Sequence, residues 1–204
     1  RKQIANEIRV LTEIKPSPFL LRRHLAFETE STIFLVTDLL SGGEFFFRLE
    51  QMAEQEDRDG IFPEDRARTL LAEVAMRLCH LHTRGFIHKD IKVENIMIGG
   101  DGHVKLVDFG LALELPAGND DRVAEILTSA TGSLIYMAPE LLKQKIGGRF
   151  TDWWALRILS YELLTGRCPW STLSDKRRIQ REIVTLTVSA PLGVSAAAGD
   201  LVTS

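Results

Sequence analysis

The sequence of 204 residues predicts an α+β fold in which short strands lie between two long helices. Residues 63–85 and 151–166 carry apolar side chains at helical spacing over several turns. Between these two stretches, the short runs 86–88, 95–98 and 103–109 predict strands, with a GGDG turn between the last two. This mixture of elements places the chain in the α+β class.

The first sixty residues predict one helix followed by a pair of strands. Residues 3–14 place Ile4, Ile8 and Leu11 on one helical face, and we expect this helix to end before Pro16. The elements predicted next are strands at 20–28 and 31–40, a Ser-Gly-Gly turn at 41–43, a short helix at 44–53 and a solvated loop at 55–60.

The two long helices differ in how much of their surface is apolar. The first begins with Pro63, carries acidic residues in its first turn and ends before Gly85, as helix termini favour. The second, 151–166, is apolar almost all round, so we expect it to be central and buried. Residues 110–137 predict a long loop, and 171–204 predict a basic amphipathic segment followed by Ala/Ser/Val sequence of low information.

Composition and charge exclude several classes of protein. The chain is 45% hydrophobic and 26% charged, which excludes a disordered or collagen-like chain. Its net charge of −3 provides no overall basic field, so we expect no direct nucleic-acid partner. The longest uncharged stretch, 183–199, is interrupted by Pro191, so we expect no membrane partner either.

Two further features bear on the cellular location of the chain and on whether it is part of a longer protein. Cys79 and Cys168 are too few for a disulfide framework and fit a reducing compartment, so we expect an intracellular location in the cytoplasm, the nucleus or both. No signal peptide opens the chain, and helical spacing starts almost immediately after Arg1. We therefore expect the sequence to be a piece of a longer protein.

Three short motifs follow one another at a defined spacing. They are HKDIKVEN at 88–95, DFG at 108–110 and MAPE at 137–140, and each is weak evidence by itself. Their order and spacing together resemble the eukaryotic protein kinase set H-R-D-x-x-x-x-N, D-F-G and A-P-E. The resemblance implies a protein-kinase-like two-lobe fold that is truncated at both ends. Residues 1–40 would form part of the N-lobe, from helix C to the hinge, and residues 41–204 an incomplete C-lobe.

The kinase motifs contain the groups that phosphoryl transfer from ATP requires. Asp90 matches the catalytic base, and Lys92 matches the lysine that neutralises the γ-phosphate. Asn95 and Asp108 match the two ligands of Mg²⁺, which prefers oxygen donors. The structural alternative makes Asp90 a turn residue and Asn95 a cap at the start of a strand.

Longer stretches resemble the AGC group of serine/threonine kinases. The segments GRFTDWWALRILSYELLTGRCPW and SPFLLRRHLAFETESTIFLVTDLLSGGEFF resemble helix F and strands four and five with the hinge of that group. The phrases SPFL, FETE, DIKVEN and GHVKLVDFGLALE are most similar to the mitogen- and stress-activated kinase branch.

This resemblance implies a nucleotide site. It makes Thr37 the gatekeeper, Asp38 to Leu40 the hinge that bonds adenine, and Met97 the apolar floor under the ring, a role compatible with an ordinary core methionine. The remaining residues that the resemblance places at the ATP site are Glu44, which meets the ribose, Glu94 and Asp108.

The resemblance also implies regulatory and substrate contacts. Glu7 matches the helix C glutamate that pairs with the ATP-binding lysine, and Ser133 matches the hydroxyl that bonds the catalytic aspartate. Ser129 falls at the activation-loop site of an upstream activating kinase, although it also fits an ordinary loop serine beside Thr128 and Thr131.

Three acidic residues predict a preference for basic substrates. Glu44, Glu94 and Glu162 fall where basophilic members of the group hold substrate arginines. Arginine and carboxylate form charge-assisted and often bidentate pairs. The alternative is that the three are ordinary solvated glutamates.

Several positions depart from the family pattern. No G-x-G-x-x-G occurs, and the lysine that should pair with Glu7 is missing. Lys89 replaces the motif arginine, Arg23 stands at an apolar spine position beside Leu11, Phe109 and His88, and Arg157 replaces a helix F glycine. His88 itself is expected to be buried and bonded to backbone.

Two function hypotheses follow. The first is an enzyme that transfers the γ-phosphate of ATP, with Mg²⁺, to Ser or Thr of Arg-containing proteins, although these 204 residues by themselves are expected to be inactive. The second is a truncated kinase or pseudokinase that acts as a binding module.

Overall fold

Among the residues that the computed structural model describes, short strands and two helices come first, as far as Glu114, and four further helices follow. The structure describes residues 1–14, 17–45, 47, 62–115, 132–144, 146–185 and 188–203. The helices are α1 (Lys2–Glu13), α2 (Glu64–Thr83), α3 (Pro139–Lys143), α4 (Arg149–Thr165), α5 (Lys176–Thr185) and α6 (Ala196–Thr203). The strands are β1 (Arg23–Glu28), β2 (Ile33–Thr37), β3 (Gly43–Glu44), β4 (Phe86–Ile87), β5 (Ile96–Ile98), β6 (Val104–Leu106) and β7 (Leu113–Glu114).

The strands form three small antiparallel sheets. Strand β1 pairs with β2, and the rings of Phe27 and Phe34 stack at 4.8 Å across that pair. Strand β5 lies between β3 and β6, and β4 pairs with β7. A tight turn joins β5 to β6, in which the Gly99 N–H donates to the His103 carbonyl at 2.8 Å. This hairpin places Asn95 just before one strand and Asp108 shortly after the other.

The core forms where α2 packs against α4. Both helices belong to one cluster of buried apolar side chains, to which β5, β6 and the end of α1 also contribute. The fully buried residues Ile158, Leu159 and Leu163 confirm that α4 is central, as its apolar sequence predicted. Trp153 is the only large apolar residue of α4 that is exposed, with 38% of its surface accessible.

The structure differs from the sequence prediction mainly in the connecting segments. Part of the predicted loop 110–137 is ordered as β7 and as two 3-10 turns, Phe109–Leu111 and Leu134–Tyr136. Helices α3 and α6 were not predicted, and the strands are shorter than the apolar runs that predicted them. The predicted short helix 44–53 and the loop 55–60 lie largely or wholly outside the described residues. No helix in the described ranges has both the length and the apolar character needed to cross a membrane.

Two arginines at family positions for small or apolar residues have different environments. The Arg157 guanidinium lies 5.0 Å from the ring centre of Trp154, and it donates to the Val202 carbonyl and, at 3.5 Å, to the Val188 carbonyl. The arginine that replaces the family glycine at this position therefore binds the segment that ends in α6. Arg23 is half-buried, and its Nε is buried without a hydrogen-bond partner among the described residues.

Candidate active site

A buried carboxylate on α4 fixes the backbone of the loop that carries Asp90. Asp152 is fully buried, and its oxygens accept hydrogen bonds from the N–H groups of His88 and Lys89 and from the His82 ring, each at 2.8 Å. Lys89 adopts a left-handed backbone conformation with φ of 71°. The hydrogen bond from its backbone N–H to Asp152 helps to hold that unusual backbone conformation.

Sequence reasoning missed Asp152, although the sequence contained a signal for it. A carboxylate in a helix that is apolar almost all round is costly unless several donors satisfy it. An acidic residue at that position therefore indicates bonded partners elsewhere in the fold.

His88 is buried and bonded to backbone, as the sequence predicted. Its Nε2 lies 3.1 Å from the Val107 carbonyl, so Nε2 carries the proton, and Nδ1 accepts from the Asp90 N–H at 3.4 Å. Burial lowers the pKa of His88, more strongly than the neighbouring carboxylates Asp152 and Asp90 raise it. The ring also packs against Phe109, with ring centres 5.1 Å apart. His88 thus connects the Asp90 loop to the DFG segment.

Asp90 accepts hydrogen bonds from three different side chains or segments. Asn95 Nδ2 donates to its Oδ2 at 3.0 Å, Lys92 Nζ lies 2.9 Å from the same oxygen, and the Ser133 N–H donates to Oδ1 at 3.0 Å. Burial by itself would raise the pKa of Asp90, but these donors and the Lys92 charge hold that pKa below its usual range. Asp90 is therefore an ionised acceptor at neutral pH.

Ser133 contacts the catalytic groups in a different way from the one that the family resemblance predicts. Its backbone N–H, rather than its hydroxyl, bonds Asp90, and the hydroxyl accepts from Lys92 Nζ at 3.2 Å. Gly132 before it has φ of 113°, and a Cβ there would lie 2.9 Å from the Lys89 carbonyl. Glycine at 132 therefore allows this segment to approach the Asp90 loop closely.

Asp108 stands beside Glu7 at the junction of α1 and the DFG segment. Asp108 has φ of 61°, and its Oδ1 accepts from the Gly110 N–H at 3.2 Å. Glu7 Oε1 accepts from the Phe109 N–H at 3.3 Å. Burial raises the pKa of Glu7, and the nearby Asp108 charge raises it further against that one hydrogen bond. Among the described residues, no lysine or arginine forms an ion pair with either carboxylate.

Asn6 joins α1 to the backbone of the same segment. Its Nδ2 lies 3.4, 3.1 and 2.8 Å from the carbonyls of Phe109, Gly110 and Ala112, and Arg9 donates to its Oδ1 at 3.2 Å. Sequence reasoning missed Asn6, since a polar residue on an amphipathic helix predicts only exposure. The contact depends on how two distant segments meet.

The oxygens of Asn95 and Asp108 fit a magnesium ion. Both Asn95 hydrogen bonds to Asp90 use Nδ2, and no described residue donates to its Oδ1. The described residues contain no group of three His, Cys, Asp or Glu side chains placed to hold a metal. One carboxylate and one amide oxygen match the way Mg²⁺ is bound jointly by a few protein oxygens and by substrate phosphates.

The residues predicted for adenine lie at two sheets. Thr37 ends β2, and Asp38 after it is held by the Arg22 carbonyl at 3.1 Å and by His24 Nε2 at 2.7 Å. Leu40 follows and is half-buried. Met97 lies in β5 directly opposite the exposed Glu44 of β3, so the register brings these two residues together.

Two of the three predicted arginine-binding glutamates, Glu94 and Glu162, lie close enough for the charge of Glu94 to act on Glu162. Glu162 accepts a hydrogen bond from the Tyr136 hydroxyl. Burial raises the pKa of Glu162 despite that bond, and the charge of the exposed Glu94 raises it further. Glu44 lies on a separate strand, and Ser129 lies outside the described residues.

Comparison with known proteins agrees with this geometry. The family model for the protein kinase domain matches residues 1–203. The chain is 38% identical over 182 residues to serine/threonine-protein kinase AtPK1/AtPK6 of Arabidopsis thaliana, covering 89% of this chain and 36% of that protein. It is 38% identical over 197 residues to ribosomal protein S6 kinase alpha-4 of Mus musculus, covering 94% of this chain and 24% of that protein. The Homo sapiens protein of the same name is 39% identical over 175 residues, which cover 85% of this chain and 21% of that protein.

The chain thus spans about a fifth to a third of the length of these curated relatives. The match of the family model over nearly every residue, together with the arrangement around Asp90, leads to one conclusion. This chain belongs to the protein kinase domain family and is related to serine/threonine kinases of the AGC group.

Proposed function

We propose that the protein containing this chain transfers the γ-phosphoryl group of ATP to serine or threonine hydroxyls of protein substrates. The observation that carries the proposal is the buried, ionised Asp90 with Lys92, Asn95 and Ser133 bonded around it. Bound MgATP supplies the phosphoryl group and the metal charge. The alternative of a binding module without catalysis is not favoured, because this cluster keeps the proton acceptor, the lysine beside it and a residue type that can hold the metal.

The chemical step assigns one role to each side chain. The substrate hydroxyl oxygen forms a bond to the γ-phosphorus, the bond from that phosphorus to the ADP oxygen breaks, and Asp90 accepts the hydroxyl proton. Lys92 Nζ, which lies 2.9 Å from Asp90 and 3.2 Å from the Ser133 hydroxyl, supplies positive charge near the transferring group. Asn95 and Asp108 would hold the metal.

The nucleotide would lie between two parts of the chain. Residues 1–40 would contribute Thr37, Asp38 and Leu40 to the adenine site, and residues 41–204 would contribute Met97. The pairing of Glu44 with Met97 supports this arrangement, because it places a carboxylate beside the proposed adenine floor. In the substrate complex, Glu94 and Asp108 would line the phosphate and metal side of the same site.

We also propose that substrates carry arginine near the accepting hydroxyl. The position of Glu94 near Glu162, whose pKa the Glu94 charge raises, supports this, since two nearby carboxylates favour a cationic ligand between them. Glu44 would bind a further arginine. Ser129 would be the site of an upstream activating kinase.

The test of the reaction uses the natural protein that contains these residues, MgATP and a Ser/Thr protein substrate. Asp90→Asn removes the proton acceptor but keeps the size of the side chain, so we expect a loss of kcat of about 10²- to 10⁴-fold. Nucleotide affinity should change little. An Asp90→Asn protein that keeps most of its turnover would contradict the proposal.

The substrate preference has its own test. Glu94→Gln should lower kcat/KM for Arg-containing peptides by about tenfold, because one charge-assisted contact is lost. Peptides without arginine should be affected far less. Glu28→Gln, an equal charge change on exposed β1, is the control, and an unchanged arginine preference in Glu94→Gln would refute the assignment.

A further inference from the structure

Helix α5 carries a concentrated positive face that the proposed reaction does not use. Its other face is apolar and buried in the core through Ile179 and Ile183. Four basic side chains on α5 are exposed, and none of them forms an ion pair or a side-chain hydrogen bond within the described residues: Lys176, Arg177, Arg178 and Arg181. The face is conspicuous because the whole chain has a net charge of −3.

The position of α5 relates this face to the candidate active site. The helix packs against the 3-10 turn Leu134–Tyr136 and against α3. Ser133, at the start of that turn, donates to Asp90, and Tyr136, at its end, donates to Glu162. An acidic and a basic surface therefore adjoin the same turn.

We infer that the basic face of α5 binds an acidic segment of the protein substrate, at a distance from the accepting hydroxyl. The inference deepens the proposed function and rests on it. Exposed, unpaired cations on a rigid helix attract an anionic segment by charge complementarity, which raises the rate of encounter and selects among partners. Substrates would then carry arginine near the phosphorylated residue and acidic residues farther along the chain.

Other anionic partners fit this helix less well. A helix that binds a membrane surface inserts an apolar face between the lipids, but the apolar residues of α5 are already packed in the core. Binding of single-stranded nucleic acid relies on aromatic side chains that stack on bases, and α5 contains none. A protein segment rich in Asp and Glu requires only the exposed charges.

The test measures direct binding of a fluorescent peptide rich in Asp and Glu that lacks Ser, Thr and Tyr. At low salt, the double variant Arg177→Glu and Arg178→Glu should bind this peptide about tenfold more weakly than the unchanged protein. The double variant Arg1→Glu and Lys2→Glu makes the same change in net charge at two exposed residues at the start of α1 and should bind within about twofold. Increasing salt should reduce the difference between the two variants.

Two results would overturn the inference. One is an equal loss of affinity in both double variants, which would show a non-specific effect of net charge. The other is tighter binding of anionic phospholipid vesicles or of an oligonucleotide than of the peptide. If the double variant of α5 unfolds, Arg177→Gln with Arg178→Gln repeats the test without charge reversal. Because the peptide has no hydroxyl that accepts phosphate, its binding is measured independently of phosphoryl transfer. The binding result can therefore be interpreted even if the protein shows no kinase activity.

Discussion

The carboxyl groups of Asp90, Glu7 and Glu162 are all buried or half-buried, and the donors around each of them decide the direction in which its pKa shifts. Asp90 receives three donors and has a lowered pKa, whereas Glu7 and Glu162 each receive one hydrogen bond and have raised pKa values. In each case burial favours the neutral acid, and only the number and charge of the partners reverse that effect. The site thus combines one carboxylate that is ionised at neutral pH with two carboxyl groups whose raised pKa values a bound cation would lower.

Glu73 provides a test of this rule through the pH dependence of stability. Burial would raise its pKa, but hydrogen bonds from His103 and the Val104 N–H, with the charge of Arg77, lower it below the ordinary value of 4.5. The unfolded chain then takes up the proton first as pH falls, so this stabilisation is present above about pH 4.5 and is lost below it. Urea unfolding of Glu73→Gln should show a shallower loss of stability from about pH 6 to about pH 3. Identical pH profiles for the two proteins would contradict the assignment.

Asn6 is expected to position the metal ligand Asp108 through the backbone. Asn6→Ala leaves the carbonyls of Phe109, Gly110 and Ala112 without that donor, and it should lower the free energy of unfolding by about 1–3 kcal/mol. The affinity for Mn²⁺, measured through the paramagnetic relaxation of water protons, should fall because the DFG segment is held less firmly. Lys2→Ala on the exposed side of α1 is the control, and equal behaviour of the two variants would remove Asn6 from this role.

The sequence predicted the residues whose spacing is defined by a motif and missed those whose role depends on distant segments. Asp90, Lys92 and Asn95 were predicted to act together, and the structure brings them into direct contact. Asp152 and Asn6 meet their partners only after chain segments more than 60 residues apart have packed. Sequence spacing carries no information about such contacts.

Elements are predictable from sequence when their own periodicity decides them. The boundaries of α1, α2 and α4 follow the apolar repeat closely. Helix α6 lies in a stretch of small residues without such a repeat, and it is held by Arg157 of α4 and by Ser195, whose N–H and hydroxyl bond Glu64. Its existence therefore depends on tertiary contacts.

Removing the Arg157 contact should release α6. In Arg157→Leu, the carbonyls of Val202 and Val188 lose their shared donor, so amide hydrogen exchange across residues 196–203 should accelerate by about tenfold or more. Exchange in α2 and at the centre of α4 should be unchanged. The exposed Arg181→Leu is the control, and unaltered exchange in α6 of Arg157→Leu would show that the helix docks by apolar contacts alone.

For the molecule as a whole, the catalytic loop is present without the usual means of covering phosphates. The 204 residues contain no G-x-G-x-x-G, and among the described residues Glu7 bonds a backbone N–H in place of a lysine. Phosphoryl transfer depends chiefly on positioning and on stabilisation of charge, so both groups matter even where the base is intact.

The predicted fold class and family were confirmed by the matched family model, whereas the roles at the nucleotide site stay predictions.

The 204-residue chain by itself should therefore transfer phosphate slowly. In a radiometric assay with an Arg-rich peptide, we expect turnover well below about 1 s⁻¹, the low end for kinases. The comparison is the natural protein that contains these residues, assayed with the same peptide. If the isolated chain turned over substrate within the usual range for kinases, an ion pair at Glu7 and a glycine-rich loop over the phosphates would be dispensable.

The three hydrogen bonds to Asp152 also imply that the loop carrying Asp90 reaches its final conformation only when α4 is in place. The amides of His88 and Lys89 precede their acceptor by 64 and 63 residues, so at ribosomal speeds they are synthesised about 3–13 s before it. Until then Lys89 lacks the Asp152 acceptor that helps to hold its left-handed conformation. Pulse-labelling hydrogen exchange during refolding should show these two amides gaining protection together with α4. Protection that arises earlier, with α2, would mean that the loop forms without its anchor.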